Sequence, residues 1–317
     1  MSALPGTDRG ALPPRRPAWL PASLLAMLLA SLLTIPLAPA LGTALELPLE
    51  SAVPGGIKIL HLGSVAELGT SAPSVESAGS RVLVLEQGGE WIAVVGIPLS
   101  APVGPRRVLL ETAGASGSAG ANAPSTMPPA PLREPRPIEF LVGEKTYASQ
   151  SLKVAPAQVN LSPKDLARSK REAARIGAAL DHWSSEAPET LRFPAPIAGV
   201  RSSSFGMRRI FNGEARNPHT GMDIAAAEGT PILAPLAGRV LDTGNFFFTG
   251  NTVLIDHGRG FVSMYCHLSQ VAVHRGERLA AGTRIGAVGK TGRATGPHLH
   301  WALSLNHAWV DPALFVQ

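Results

Sequence analysis

Apolar and polar positions along this chain alternate in short runs, most of them bounded by glycine or proline. Gly56 to Gly63 (GIKILHLG) predicts a strand. Arg81 to Pro98 predicts a hairpin in which RVLVLE and WIAVVGIP are joined by Gln87-Gly88-Gly89-Glu90, turn residues between β-branched runs. Arg107 to Glu111 (RVLLE), Ile138 to Val142 (IEFLV) and Gln150 to Val154 (QSLKV) continue the pattern. The stretch 113–137 is rich in Ala, Ser, Gly and Pro and has too little apolar surface to fold alone, so a long flexible loop is expected there. Short strands at this spacing predict a small β-sandwich-like accessory domain over residues 41–160.

Ser162-Pro163-Lys164-Asp165 carries the marks of a helix start: a hydroxyl cap, proline in the first turn and an acid near the positive end. The helix is expected to run to about Trp183, with Leu166, Ile176 and Leu180 among its apolar positions, inside a connector over 161–192. From Phe193 the texture returns to short apolar runs punctuated by glycine. Ile232 to Val240, Asn251 to Asp256, Gly260 to His267, Arg284 to Val288 and His298 to Ser304 all predict strands. The expected fold is mostly β: an N-terminal β-sandwich-like domain, a connecting helix and a C-terminal antiparallel β-sheet domain over 193–317. The 33 glycines and 29 prolines favour the same turn-rich class over a helical one.

Residues 1–40 read as a targeting signal. Arg9, Arg15 and Arg16 form a basic front, Ser23 to Ile35 is apolar, and Ala38-Pro39-Ala40 offers small side chains for cleavage. The apolar run is short of the ~20 residues a membrane span needs, so membrane contact is expected only in transit. Arg15-Arg16 admits a twin-arginine route, although Pro17 follows. Export is expected, to a periplasm or to the outside of the cell. The formal charge is +5 and falls when residues 1–40 leave, because three Arg and Asp8 go with them. That excess is mild, and no Lys/Arg run points to nucleic acid. Cys266 is the single cysteine, which excludes an internal disulfide.

Five side chains in the C-terminal domain carry candidate chemistry. His219 and Asp223 stand four residues apart in NPHTGMD, His267 ends MYCH, and His298 and His300 flank Leu299 in GPHLHWAL. In a strand, His298 and His300 share a face, about 7 Å apart at their Cα atoms. Two imidazoles and a carboxylate form the ligand set of a hydrolytic zinc site, which keeps a position open for water. His219, Asp223 and one histidine of the H-x-H pair meet that need. The other histidine and His267 then flank the water and the scissile carbonyl.

NPHTGMD, MYCHLS and GRATGPHLHWAL, together with SSSFGMR, GTPILAP, GNTVLIDHG and VGKTG, resemble the M23 family of metallopeptidases, the lysostaphin/LytM type, from about Phe193 to Phe315. The resemblance implies that His219, Asp223 and His300 bind one Zn²⁺, and that His267 and His298 act as general base and transition-state stabiliser. It implies a peptide substrate in peptidoglycan cross-bridges or stem peptides. The alternative it leaves is a non-catalytic wall-binding regulator of amidases on the same fold, which the complete set of motif residues disfavours.

The remaining candidates have plainer readings. His257 is expected at a strand end without a direct role; His61, His182, His274 and His307 are expected at the surface. Tyr265 is expected near the site or in packing, and Asn212 and Asn217 are candidates to line the groove. Cys266 is adjacent to His267 in a strand, so the two side chains are expected on opposite faces and the thiol is expected to be packed. The accessory domain is expected either to bind wall polymer or to cover the groove. In the second case a fragment starting near Phe193 is more active than the mature chain.

Overall fold

The structure is a computed structural model that describes residues 45–111, 135–153 and 161–317. The expected signal segment and most of the expected loop, 113–134, lie outside the described residues. The N-terminal part contains β1 (Ile57–Ser64), a single helical turn α1 (Val65–Leu68), β2 (Ser74–Ser77), β3 (Ser80–Arg81), β4 (Leu83–Gln87), β5 (Glu90–Gly96), β6 (Gly104–Glu111), β7 (Arg136–Val142) and β8 (Ser149–Leu152). Helix α2 (Pro163–Leu180) follows. The C-terminal part contains β9 (Val200–Ser203), β10 (Arg208–Phe211), β11 (Glu214–Ala215), β12 (Met222–Ala225), β13 (Pro231–Leu233), β14 (Gly238–Phe246), β15 (Gly250–Gly258), β16 (Phe261–Leu268), β17 (Gln270–Val271), β18 (Arg278–Leu279), β19 (Arg284–Ala287), β20 (His298–Leu305) and β21 (Ala308–Val310).

The chain is mostly β, as the short punctuated runs dictate. A three-stranded sheet, β1-β5-β4, faces a four-stranded one, β3-β2-β6-β7. Leu60, Val84, Trp91, Ala93 and Val95 from the first meet Val75, Val108, Leu110, Phe140 and Val142 from the second. This is the expected sandwich. The predicted hairpin forms as β4 and β5, with Gln87 opposite Glu90 across Gly88 and Gly89, both at positive φ. Such a two-residue turn wants glycine because both central residues leave the right-handed region.

Strand β5 explains why WIAVVG is apolar without interruption. Trp91, Ala93 and Val95 fill the sandwich, while Ile92 and Val94 point the other way. There they join Ile57, Leu83 and Leu85 in one core with Leu303, Leu305, Val310 and Phe315 of the C-terminal part. A strand buried on both faces has no polar face to alternate with. The seam also carries hydrogen bonds: Gly96 N–H donates to Asn306 Oδ1 at 2.6 Å, and Asn306 Nδ2 returns one to Gly96 O at 3.0 Å.

The main sheet runs β18-β14-β15-β16-β20-β12-β9, with β21 on β20. Its rear face, with Tyr265, Leu299, Trp301 and Leu303, closes the core shared with the sandwich. Its front face is covered at one end by α2, whose Ala179 and Leu180 pack on Leu254, Val262, Met264, Cys266 and Ala302. Ser162 caps α2 by accepting from Asp165 N–H at 3.1 Å, as expected. The helix ends at Leu180 rather than near Trp183, where Asp181 caps it.

Three other expectations are corrected. β8 does not belong to the sandwich: it pairs in parallel with β10, Ser149 opposite Arg208 through Leu152 opposite Phe211. Alternation identifies a strand but not its partner. Ile232 to Val240 is not one strand, because β13 and β14 are separated at Ala234-Pro235, where proline offers no N–H to a ladder. The expected loop stops earlier, since Arg136 and Pro137 already pair in β7 with Leu110 and Leu109.

Candidate metal centre and groove

The front face of the main sheet places the candidate residues by register. β12 pairs with β20 so that Asp223 stands opposite His300 and Ala225 opposite His298. Paired residues share a face, so the carboxylate and both histidines of the H-x-H pair emerge together. His219 comes from the loop between β11 and β12. Its backbone is pinned by Gly206 N–H donating to His219 O at 2.8 Å and His219 N–H donating to Met207 O at 2.9 Å.

Three donor atoms then converge. His219 Nε2 lies 2.9 Å from Asp223 Oδ1 and 2.9 Å from His300 Nδ1, and His300 Nδ1 lies 2.8 Å from Asp223 Oδ1. All three residues are buried. The outer nitrogen of His219, Nδ1, is 2.9 Å from the Ser204 carbonyl oxygen, which accepts its proton. That fixes Nε2 as a bare lone pair, aimed at a carboxylate oxygen and a second imidazole nitrogen. His219 Nε2 and Asp223 Oδ1 are then two buried acceptors 2.9 Å apart with no proton between them, which is unfavourable unless a cation lies beside them. The donor set therefore fits a divalent metal, and its chemistry, two nitrogens and one carboxylate oxygen, suits zinc.

Charge follows the same geometry. Burial alone raises the Asp223 pKa, but the adjoining His219 and His300 imidazoles outweigh it and hold the carboxyl well below the usual range. Burial lowers the His300 pKa against the pull of Asp223, which keeps the ring neutral. Gly221 is required beside it. A Cβ there would stand 2.5 Å from Trp301 O and 2.7 Å from His300 Cε1.

His267 reaches the site by breaking the strand rule. β16 pairs Tyr265 with Trp301 and Cys266 with His300, so regular alternation would send His267 to the rear face. Its φ of +64°, in the left-handed region that non-glycine residues avoid, turns the ring forward instead. The ring centroid lies 4.7 Å from that of His298 and 6.0 Å from that of His300. His267 Nδ1 donates to Thr291 O at 2.8 Å, and His298 Nδ1 lies 2.8 Å from Gly296 O. His298 Nε2 is 3.9 Å from Asp223 Oδ1. Burial, then His300 and His298, push the His267 pKa down to about 4.

All five expected residues thus come together. Cys266 is buried and free, as expected, but it does not lie on the face opposite His267: the left-handed turn at His267 brings both side chains to the front. It shares a face with His300 and lies in the apolar cluster under α2. Burial pushes its thiol pKa well up, which leaves no thiolate. Tyr265 is wholly buried on the rear face. His257 is buried between the Ala237 carbonyl and Ser263 Oγ, each at 2.7 Å. His61, His182, His274 and His307 pair with Glu90, Asp256, Glu277 and Asp181 away from the centre. Asn217 lines the groove, and Asn212 sits in the β10–β11 turn at φ +52°.

Two hollows of about 810 and 580 Å³ flank His219, Asp223 and His300 and share Arg209, Phe211, His267, Arg293 and His300. Together they form a groove that crosses the site. Sequence reasoning missed Arg209, whose guanidinium stands 3.5 Å from Asp223 Oδ2. It missed Arg216 and Arg293 as well. No spacing rule singles out an arginine in a short strand or a loop.

Comparisons with known proteins agree with this arrangement. Residues 217–312 match the model of peptidase family M23, and residues 50–118 match that of the peptidase family M23 N-terminal domain. A Pseudomonas aeruginosa crystal structure described as an M23 peptidase is similar at 40% identity and a TM-score of 0.66, over 84% of this chain and 96% of that one. The Vibrio cholerae peptidoglycan DD-endopeptidase ShyA is 42% identical over 113 residues, 35% of this chain and 26% of that protein. The Neisseria meningitidis DD-carboxypeptidase/endopeptidase Mpg is 40% identical over 118 residues, 37% of this chain and 27% of that protein. The aligned part spans about a quarter of the length of these two curated relatives. With a near-complete structural relative at this identity and both of its parts matched, the chain belongs to peptidase family M23.

Proposed function

We propose that this chain is an exported, zinc-dependent endopeptidase that hydrolyses peptide bonds in peptidoglycan cross-bridges or stem peptides, in a periplasm or outside the cell. The observation that carries the reading is the convergence of His219 Nε2, Asp223 Oδ1 and His300 Nδ1 as three buried lone-pair donors. These residues hold the ion. When bound, zinc supplies Lewis acidity that polarises a carbonyl and lowers the pKa of a water towards 7.

The chain's own residues do the rest. With Nδ1–H tied to Thr291 O, His267 presents a bare Nε2 to the centre and takes a proton from the attacking water. His298, tied through Nδ1 to Gly296 O, stands beside it and steadies the charge that develops on the carbonyl oxygen, while His267 returns the proton it took to the leaving amine. The groove on both sides of these rings orients the peptide. The names of the Vibrio and Neisseria relatives direct the choice of bond to a D,D-peptide link.

Purified protein is assayed on cell-wall sacculi with zinc, with chelator, and with zinc restored. Release of muropeptides that stops with chelator and returns with zinc is the expected result. Equal inactivity in all three arms, with no zinc retained, sinks the enzyme reading.

A further inference from the structure

The groove carries a charge pattern that the metal ligands do not account for. Arg209 comes from β10, Arg216 from the loop after β11, and Arg293 from the loop between β19 and β20. All three line the same half of the groove as His219, His267 and His300. Among the described residues no Asp or Glu lines that half, and Asp223 is the one acid lining the other.

Each arginine is placed rather than loose. Arg293 lies over the rings of Phe248 at 4.4 Å and Phe211 at 5.6 Å. Although part of its side chain stays exposed, its pKa is pushed below the usual arginine range, by burial against these walls first and then by Arg209 and Arg216. Arg216 engages Glu214 through one Nη at 2.5 Å, while its Nε is buried without an acceptor among the described residues. A buried N–H of a cation is costly to leave unmatched. Arg209 already meets Asp223 at 3.5 Å and Arg216 meets Glu214, and an anionic ligand that reaches the unmatched Arg216 N–H relieves its cost.

Resting on the proposed peptidase reading, we infer that Arg209, Arg216 and Arg293 form a carboxylate clamp. It holds a free carboxylate of the substrate peptide beside the bond to be cut, and so selects acidic stem peptides over neutral or amidated ones. The planar guanidinium fork matches a carboxylate through two parallel hydrogen bonds. Arg209 and Arg293 line both halves of the groove, so the bound carboxylate belongs close to the scissile bond rather than at a distant subsite.

The test uses the zinc-loaded chain and two synthetic cross-linked stem-peptide dimers, identical except that one has its carboxylates amidated. The acidic dimer is expected to be favoured in kcat/KM by roughly 10- to 100-fold, mainly through KM, the range of one or two charge-assisted hydrogen bonds. Arg216→Gln and Arg293→Gln collapse that ratio towards one, and Arg216→Lys, which keeps the charge but loses the fork, falls between. Zinc content and circular dichroism establish that each variant is folded. A preference that survives both Gln variants, or parent protein with no preference, overturns the clamp. The same dimers with a reduced, uncleavable scissile bond are titrated by calorimetry. If neither dimer is cleaved but the acidic one binds more tightly and Arg216→Gln abolishes the difference, the clamp stands and the peptidase reading falls. Binding without a carboxylate preference, or no binding of either dimer, overturns the clamp.

Discussion

Replacing Gly221 with alanine offers a measured push on His300, one of the proposed metal ligands. The added Cβ would stand 2.7 Å from His300 Cε1 and 2.8 Å from His300 Nε2. Carbon–carbon contacts settle near 3.5 Å, so the ring must retreat by roughly 0.8 Å. Moving the alanine instead is blocked, because Trp301 O lies 2.5 Å away on the neighbouring strand. Metal ligands tolerate only about 0.2 Å. Displacing a ligand support of this kind weakens metal binding by roughly 10- to 100-fold, and the overpacking costs about 1–3 kcal/mol of stability without metal. Zinc affinity is read by competition with a chromophoric chelator, and stability by urea unfolding of the chelated protein. Gly229→Ala is the control: its φ of +88° strains a side chain, but nothing lies within 4 Å of its Cβ. It is expected to lose about 1 kcal/mol and to bind zinc normally. Folded Gly221→Ala with parental zinc affinity refutes the reasoning.

Three further outcomes follow from the same geometry. His267→Ala is expected to retain zinc while hydrolysis of sacculi falls by roughly 100- to 10,000-fold; loss of zinc content along with activity would make His267 a ligand instead. His257 is buried with its pKa lowered by burial, so below an unfolded pKa of about 6.5 the unfolded chain binds the extra proton. Stability is therefore present above that pH and is lost as pH falls through it, by up to about 1.4 kcal/mol per unit from this residue. Urea unfolding at pH 7 and pH 5 measures it, and His257→Gln should flatten the slope. Ile92→Ala empties a fully buried position in the core shared by sandwich and main sheet and is expected to cost about 2–5 kcal/mol. A single shifted unfolding transition supports the shared core, and two separate transitions contradict it.

The strand pattern was readable wherever one residue in two is apolar or a run ends in glycine, as in β1, β4, β5 and β15. The H-x-H pair was readable too, since a period of two fixes the face shared by His298 and His300 without knowledge of any partner. What the pattern lacks is long-range pairing. Nothing in QSLK says that β8 leaves the sandwich to lie beside β10. Nothing in WIAVVG says which core claims Ile92 and Val94. His267 escaped the alternation rule because a single left-handed residue reverses a side chain, and φ is not written in composition. The groove arginines come from three segments that meet only after folding, and a solvated arginine looks the same in sequence as a functional one.

The double-sided burial of β5 makes the two parts of this chain hard to separate. Leu303, Leu305 and Val310, on strands that touch β5, would lose that apolar cover in any piece that began near Phe193. Such a piece is expected to clump or unfold before its turnover can be compared with that of the whole, so shedding the front portion is a poor way to ask whether it restrains the enzyme. Control of access is expected instead at the rim, where Gln150 of β8 and Leu166 of α2 line the cleft, while the two parts stay joined at their backs.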